Sequence, residues 1–524
     1  MVTASELPIN TGANATQMAE TIFGDGVTVT GATYYGDNDS SGIYTNGDSV
    51  SPGVTPGDTG VIMSTGDADD FTNSNGQANQ DNNTSTNTSG INNFGQFNTA
   101  AGARTYDASV LDVDFIPTGD LMTMQFVFSS EEYPEYQDSL YQDFVGVWIN
   151  GSLVPMSVGN GDTDPGNINS GENQNLYVDN ANSDYNTEMD GFTVTMTLTI
   201  PVNSGVVNSI RIAIADVTDN QYDSNLLIAG DSVQTEVVAL TDSTNLYPNG
   251  DTDLDVLAND VNGGGGTLTI THLNGQPVTV GVPVTLSTGQ TIMLNADGTI
   301  NIVGDGDTEE FNFTYTVDNG DNTDIGIVNV NSIPCFVAGT MIATPTGQRE
   351  VQDLVPGDLV LTQDEKAQPL RWIGTRTVAA QDHFAPIHIR ANTFGTHNDL
   401  LVSPEHRILI QDNVAELLFG ESEVLVAAKE LINDQSVTRR VGGEVTYVHL
   451  MFDRHQVVYS EGLATESFLP GPQTTSSFDR AVVEEICTLF PEIDPDTGLG
   501  YSPAARRVLK HFEAKLLRDA QKVA

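Results

Sequence analysis

Cys335 stands directly after Pro334 in the stretch Ile333-Pro334-Cys335-Phe336-Val337-Ala338-Gly339-Thr340. A thiol there is within five-membered-ring reach of the preceding carbonyl. Its attack exchanges the Pro334–Cys335 amide for a thioester, an N-to-S acyl shift. That shift is uphill unless the amide is strained and the departing amine receives a proton. Ser403-Pro404-Glu405-His406, just before the apolar run 407–410, can supply a hydroxyl and an imidazole together. Histidine donates a proton near neutral pH, and a hydroxyl can polarise the scissile carbonyl. Core packing is the other reading of Cys335 and His406, and spacing alone leaves both open.

A second chemistry is suggested by two acidic strings. Glu131 and Glu132 follow an apolar run and are themselves followed by Asp143; Asp216, Asp219 and Asp223 sit together at the end of another. Hard cations take several oxygen ligands with little rigidity, so acids bunched in strand-end loops can bind Ca²⁺; the alternative is a solvated turn. A glycosidase pair at Glu131 and Glu132 is excluded, because neighbours on a strand point to opposite faces. His383, His388 and His397 do not have zinc spacing and read as packing or surface residues. The glycines at 263–266 are a turn, since no Lys-Ser/Thr follows to make a phosphate loop.

The elements that must position these groups are mostly short strands. Over 1–235, strands are predicted at 27–33, 61–64, 110–115, 122–128, 144–149, 192–200, 210–216 and 226–228, with a helix at 15–22. The polar insert 67–103 is expected to be a mobile loop. Residues 236–332 alternate apolar positions with turn signals and read as a second sandwich. Short strands return over 333–470. Beyond that, helices are predicted over 478–490, with Cys487 in its apolar set, and from Ser502-Pro503 to about 520. The chain is therefore multidomain and mainly β: two β-sandwich-like domains (1–235 and 236–332), an all-β domain (333–470) and a short C-terminal helical region (471–524).

Charge separates these parts. The 524 residues carry a formal net charge of −52. Residues 1–334 contain 45 acids and only two bases, Arg104 and Arg211; seven of the eight histidines and both cysteines lie beyond them. So acidic a surface repels nucleic acid and anionic membranes and suits bound Ca²⁺ or a salty medium. Two cysteines 152 residues apart make neither a disulfide framework nor a CxxC zinc pattern. No run is long and apolar enough to span a membrane. The first twenty residues lack the basic and apolar regions of a cleavable signal peptide, so export is expected by another route. The C-terminal helical pair would then either pack on the preceding domain or act as an export or docking element.

Several motifs carry resemblances. Phe126–Tyr136 (FVFSSEEYPEY), Asp107–Phe115, Met189–Thr193 and Ile212–Ser224 resemble the choice-of-anchor L domain of bacterial surface and secreted proteins. The strings 253–260 (LDVLAND within it) and 313–320 resemble cadherin-like repeats of bacterial adhesins, implying a spacer that often binds calcium. Cys335–Thr340 with 342–347 and 351–361, Ser403-Pro404-Glu405-His406, and 445–450 with 455–466 resemble the Hint domain of inteins and Hedgehog autoprocessing proteins. That resemblance implies Cys335 as nucleophile, His406 as the amine-protonating group and Ser403 as the residue orienting the scissile bond. Asp453 and His455 fall in the closing motif, where groups assist later steps. Splicing members end in His-Asn; here the end reads Ala464-Thr465-Glu466-Ser467, so complete splicing is not expected.

The leading expectation is a secreted or cell-surface bacterial protein that cleaves itself between Pro334 and Cys335. Its substrate is then its own chain, no cofactor is required, and the acyl acceptor is water or a cell-surface component. The alternative is a non-enzymatic, calcium-stabilised adhesion or surface protein with an inactive Hint fold.

Overall fold

The computed structural model describes residues 2–80, 83–137, 139, 141–156, 158, 163–246, 251–305, 311–331, 335–380, 385–433, 435–469, 486, 489–490, 501–509, 513–514 and 516–518. Pro334, His383, Cys487 and most of the segment expected to be helical over 478–490 lie outside the described residues. The chain is mainly β and divides into two compact units. The first comprises Met1–Asp242, Asp255–Ile300 and Phe311–Asn329; the second comprises Ser243–Leu254, Asn301–Glu310 and Val330–Ala524.

The first unit is built on two antiparallel sheets. One contains the strands Thr105–Pro117, Asn208–Val217 and Phe144–Ile149 side by side; the other contains Thr59–Ser64, Ser224–Ala229 and Leu121–Ser130. Period-2 alternation turns Leu111, Val113, Phe115, Ile210, Ile212 and Ile214 of the first sheet inward. They meet Met122, Met124, Phe126, Phe128, Leu226 and Ile228 of the second. The helix Ala15–Ile22 forms as expected, its Asn14 cap and Gln17 completing a reciprocal capping box. Register then fixes which strand ends meet. Ser224 lies opposite Ser130, and Ala215 opposite Phe144. The acidic loops that follow or precede those residues are thereby brought to one end of the sandwich.

Two local expectations are corrected here. Residues 192–200 are not one strand but two, Gly191–Thr193 and Met196–Pro201, both paired to Leu121–Ser130. The insert 67–103 does not stand off as a loop. It contains the helix Gly95–Ala101, and its backbone N–H groups at Thr86, Thr88 and Ser89 donate to the carboxylates of Asp223, Asp107 and Asp37. A polar composition signalled mobility, but these backbone N–H groups, with the Ser89 hydroxyl donating to Asp37, tie the insert down. Further along the same unit, Thr269–Leu273 pairs with Phe311–Asp318, and Pro283–Thr285 with Thr291–Leu294.

The second unit has its own core, centred on Phe336, Ile342, Val402, Ile408, Val448 and Phe452. Phe336 pairs with Val402 on one side and Val448 on the other. A second sheet carries Val457–Ser460, Leu463–Glu466, Arg407–Gln411 and Glu423–Ala427 in neighbouring positions. The helix expected from Ser502 begins differently: Arg507–Val508 adds as a parallel strand to Glu423–Ala427, and helical residues appear at 513–514 and 516–518. An open strand edge is a template for main-chain pairing, and Arg506 holds the new strand there through Glu423 and Asp364.

Candidate functional site

Cys335 lies in the second unit immediately before the short central strand Phe336–Val337, so neighbours on both sides fix it. Its thiol is buried against Val337, Ala380, Val445 and Tyr447. Ser403 closes on the same residue twice. The Ser403 N–H donates to the Cys335 carbonyl at 3.0 Å, and the Ser403 Oγ accepts from the Cys335 N–H at 2.7 Å. The hydroxyl was expected to polarise the carbonyl of the scissile bond; its described contact is instead with the nitrogen that must leave.

His406 belongs to the same turn, its N–H donating to the Ser403 carbonyl at 3.1 Å. Its ring packs on Phe336, centroids 4.3 Å apart, and neither ring nitrogen has a hydrogen-bond partner among the described residues. Burial pushes the imidazole down to about 4, against the pull of Glu466. His406 is therefore neutral near pH 7.

A third group, which the sequence reading missed, stands at the thiol itself. His449 Nε2 lies 3.4 Å from Cys335 Sγ. The ring is clamped between Trp372 and Phe468, at centroid distances of 6.5 and 5.5 Å. The signal was present in the alternation of Glu444–Met451. Val445 and Tyr447 share a face with Cys335, and period 2 puts His449 on that face.

The remaining predicted residues separate. His455 is buried beside Glu466, with Nε2 3.4 Å from its carboxylate and 3.0 Å from the Ser467 carbonyl. The Ala505 N–H donates to Nδ1 at 2.9 Å, and the His455 N–H donates to Ser502 Oγ at 2.7 Å. Because Nδ1 accepts, the neutral ring carries its proton on Nε2. Glu466, also missed by sequence, is fully buried. Burial alone would raise its carboxyl, but Arg407, His455 and His406 outweigh that and hold it at about 2. Asp453, expected near the reaction, lies on the surface in an ion pair with Arg371. No contact among the described residues joins it to Cys335. Of the other histidines, His397 is buried in a turn, with Nδ1 2.6 Å from the Asn398 carbonyl, and His388 approaches Arg440.

In the first unit the acidic residues assemble at the sandwich end. Glu131 and Glu132 lie just past the strand Leu121–Ser130, in a turn, and both are buried. Their surroundings diverge: Asp190, Glu188 and Asp223 face Glu131, while Asp216, Asp164 and Asp219 face Glu132. Asp143 joins them through its N–H, which donates to Glu132 Oε2 at 3.0 Å. Asp219 stays on the half-exposed rim. Among the described residues, no three His, Cys, Asp or Glu side chains are already gathered at the spacing of a bound metal.

Comparison with known proteins fits this division. Residues 8–234 match the choice-of-anchor L domain and residues 334–472 match the Hint domain. No curated protein matches the chain. Among solved structures, the gp41-1 intein is 13% identical and covers 25% of this chain and 97% of its own, with a TM-score of 0.17. The MchDnaB-1 intein is 15% identical and covers 25% of this chain and 98% of its own, with a TM-score of 0.18. A choice-of-anchor domain is a mark of cell-surface proteins, and the described residues contain no helix long and apolar enough to cross a membrane. The chain thus joins a choice-of-anchor L domain to a Hint domain.

Proposed function

We propose that the Hint domain severs the chain between Pro334 and Cys335, freeing the acidic β-rich part of a secreted or surface protein. One observation carries this reading: the Cys335 thiol faces the His449 imidazole while Ser403 Oγ holds the amide nitrogen of the same residue. His449 takes the thiol proton. Sγ attacks the Pro334 carbonyl carbon, the C–N bond breaks, and the Cys335 nitrogen leaves as an amine after gaining one proton. Ser403 orients that nitrogen, and either His449 or His406 returns the proton. For His406 the donor form lies about 4 kcal/mol uphill at pH 7. Water then hydrolyses the thioester to a Pro334 carboxylate and the free Cys335 thiol; an amine or hydroxyl of a surface component is the alternative acceptor. The stretch that corresponds to the His-Asn end of splicing members reads Ala464-Thr465-Glu466-Ser467, so asparagine cyclisation and complete splicing are not expected.

The test is to purify the intact chain and follow it by denaturing gel and mass spectrometry. Fragments ending at Pro334 and starting at Cys335, accelerated by thiols and absent from Cys335→Ala, are expected. An intact chain at every thiol concentration and pH supports the second reading, a non-enzymatic surface protein with an inert Hint fold. The burial of Cys335 and His406 favours that reading.

A further inference from the structure

The buried acids of the first unit have no cation to neutralise them. Only two basic residues precede Cys335. Arg211 is engaged by Asp112, and Arg104 lies over the Tyr106 ring. Yet Glu131, Glu132, Asp143 and Asp216 are 1–2% exposed. Among the described residues, both carboxyl oxygens of Glu131, and one each of Asp143, Asp216 and Asp223, have no hydrogen bond of normal geometry, and only the hydroxyls of Thr84, Ser224 and Thr65 stand near Glu131, Asp143 and Asp216. Buried carboxylates persist only when paired, protonated or bound to a metal.

Three of them form a chain. Glu132 Oε2 accepts from the Asp143 N–H at 3.0 Å, and Asp143 Oδ1 accepts from the Val217 N–H at 3.2 Å, one residue past Asp216. Asp143 and Asp216 thus flank the paired residues Phe144 and Ala215 of neighbouring strands, and both carboxylates are buried. A register irregularity between Ile214 and Asp216 re-aims the latter. Gly66 leaves room for the Asp223 carboxylate, with which a Cβ there would collide. The donors are all oxygens, with no His or Cys among them, which selects a hard divalent ion of flexible coordination over zinc or copper.

We propose that Ca²⁺ draws Glu132, Asp143 and Asp216 together, with Glu131 and Asp223 at its flank, locking three strand ends of the first unit. This inference is independent of the cleavage reading. It replaces Asp219, which sequence grouping had included, with Asp143.

The test is thermal unfolding of the full Cys335→Ala chain in Ca²⁺, Mg²⁺ or chelator at ionic strength matched with NaCl. In a Trp372→Phe background, Trp148, five residues past Asp143, reports this unit. A saturable rise of several degrees in Tm with Ca²⁺ is expected, larger than with Mg²⁺. It should be lost in Asp143→Asn and in Asp216→Asn, and kept in Asp219→Asn. Because each Asn substitution removes a buried charge, these variants should fold at least as well as the parent in chelator. Equal Tm in Ca²⁺ and chelator overturns the proposal, as does a rise that survives the Asp143→Asn/Asp216→Asn double variant. Equilibrium dialysis of the parent chain with Ca²⁺ gives the answer should a variant fail to fold: no retained ion overturns it.

Discussion

Three side chains of the second unit, Cys335, His449 and His406, make distinct predictions. Cys335→Ala removes the nucleophile and should abolish cleavage. His449→Ala should slow it about 10²–10⁴-fold, the usual contribution of a positioned base. It should also move the pH profile to the alkaline side, since the thiol must then ionise unaided. His406 gives a stability signature as well. Its folded value near 4 lies below the ordinary value of 6.5, so between these limits the unfolded state takes up a proton that the folded state refuses. Stability of the second unit is therefore full above about pH 6.5 and falls by about 3 kcal/mol on acidification to pH 4. His406→Gln should flatten that slope in a series of denaturant melts. The neighbouring Glu466, held near 2, works in the same direction at lower pH: its contribution is present above 4.5 and is lost as pH falls through about 2.

At the scale of elements, the short strand Phe336–Val337 and the segment 501–509 deserve to be tested separately. Phe336 is 1% exposed, supports the His406 ring and lies between two strands. Phe336→Ala should cost about 3–5 kcal/mol by cavity formation and release His406 from its face. On the other side, Ala505→Pro deletes the N–H that fixes His455. Leaving that buried ring nitrogen without its donor should cost about 1–3 kcal/mol, read as a lowered Tm of the second unit. The spacing of Ser502-Pro503 pointed to a helix start, and a helix does follow. The strand at Arg507–Val508 was not legible, because it depends on the exposed edge of Glu423–Ala427, some 80 residues earlier. The reversal at 67–103 has the same origin: composition shows polar residues, but not which distant carboxylates will accept hydrogen bonds from their backbone.

For the whole molecule, the asymmetry of charge governs behaviour. Without calcium, the carboxyls of this buried group are raised by burial and by one another. Asp223 sits at about 7, Glu132 at about 9 and Glu131 at about 10; Asp143 and Asp216 are also raised, and Asp107, Asp164 and Asp190 face the group as further acids. A group whose folded value exceeds its unfolded value stabilises below the unfolded value and loses that contribution as pH rises through the folded one. In chelator, the first unit should thus become less stable from about pH 5 to pH 10, and saturating Ca²⁺ should oppose the trend. Melts of the Cys335→Ala chain across that range check it. Added NaCl should stabilise the chain in chelator by screening its −52 net charge.

Local rules were enough to read the mainly β architecture, the helix Ala15–Ile22, the strand Phe144–Ile149 and the candidate group Cys335, Ser403 and His406. Alternation, capping and short motifs are encoded within a few neighbouring residues. Tertiary structure alone brought His449 to the thiol, put Ser403 on the nitrogen, sent Asp453 to the surface and buried Asp143 beside Glu132. Each of those outcomes depends on strand register and burial between residues up to 114 positions apart, and a one-residue change of register in Glu444–Met451 would turn His449 to the opposite face.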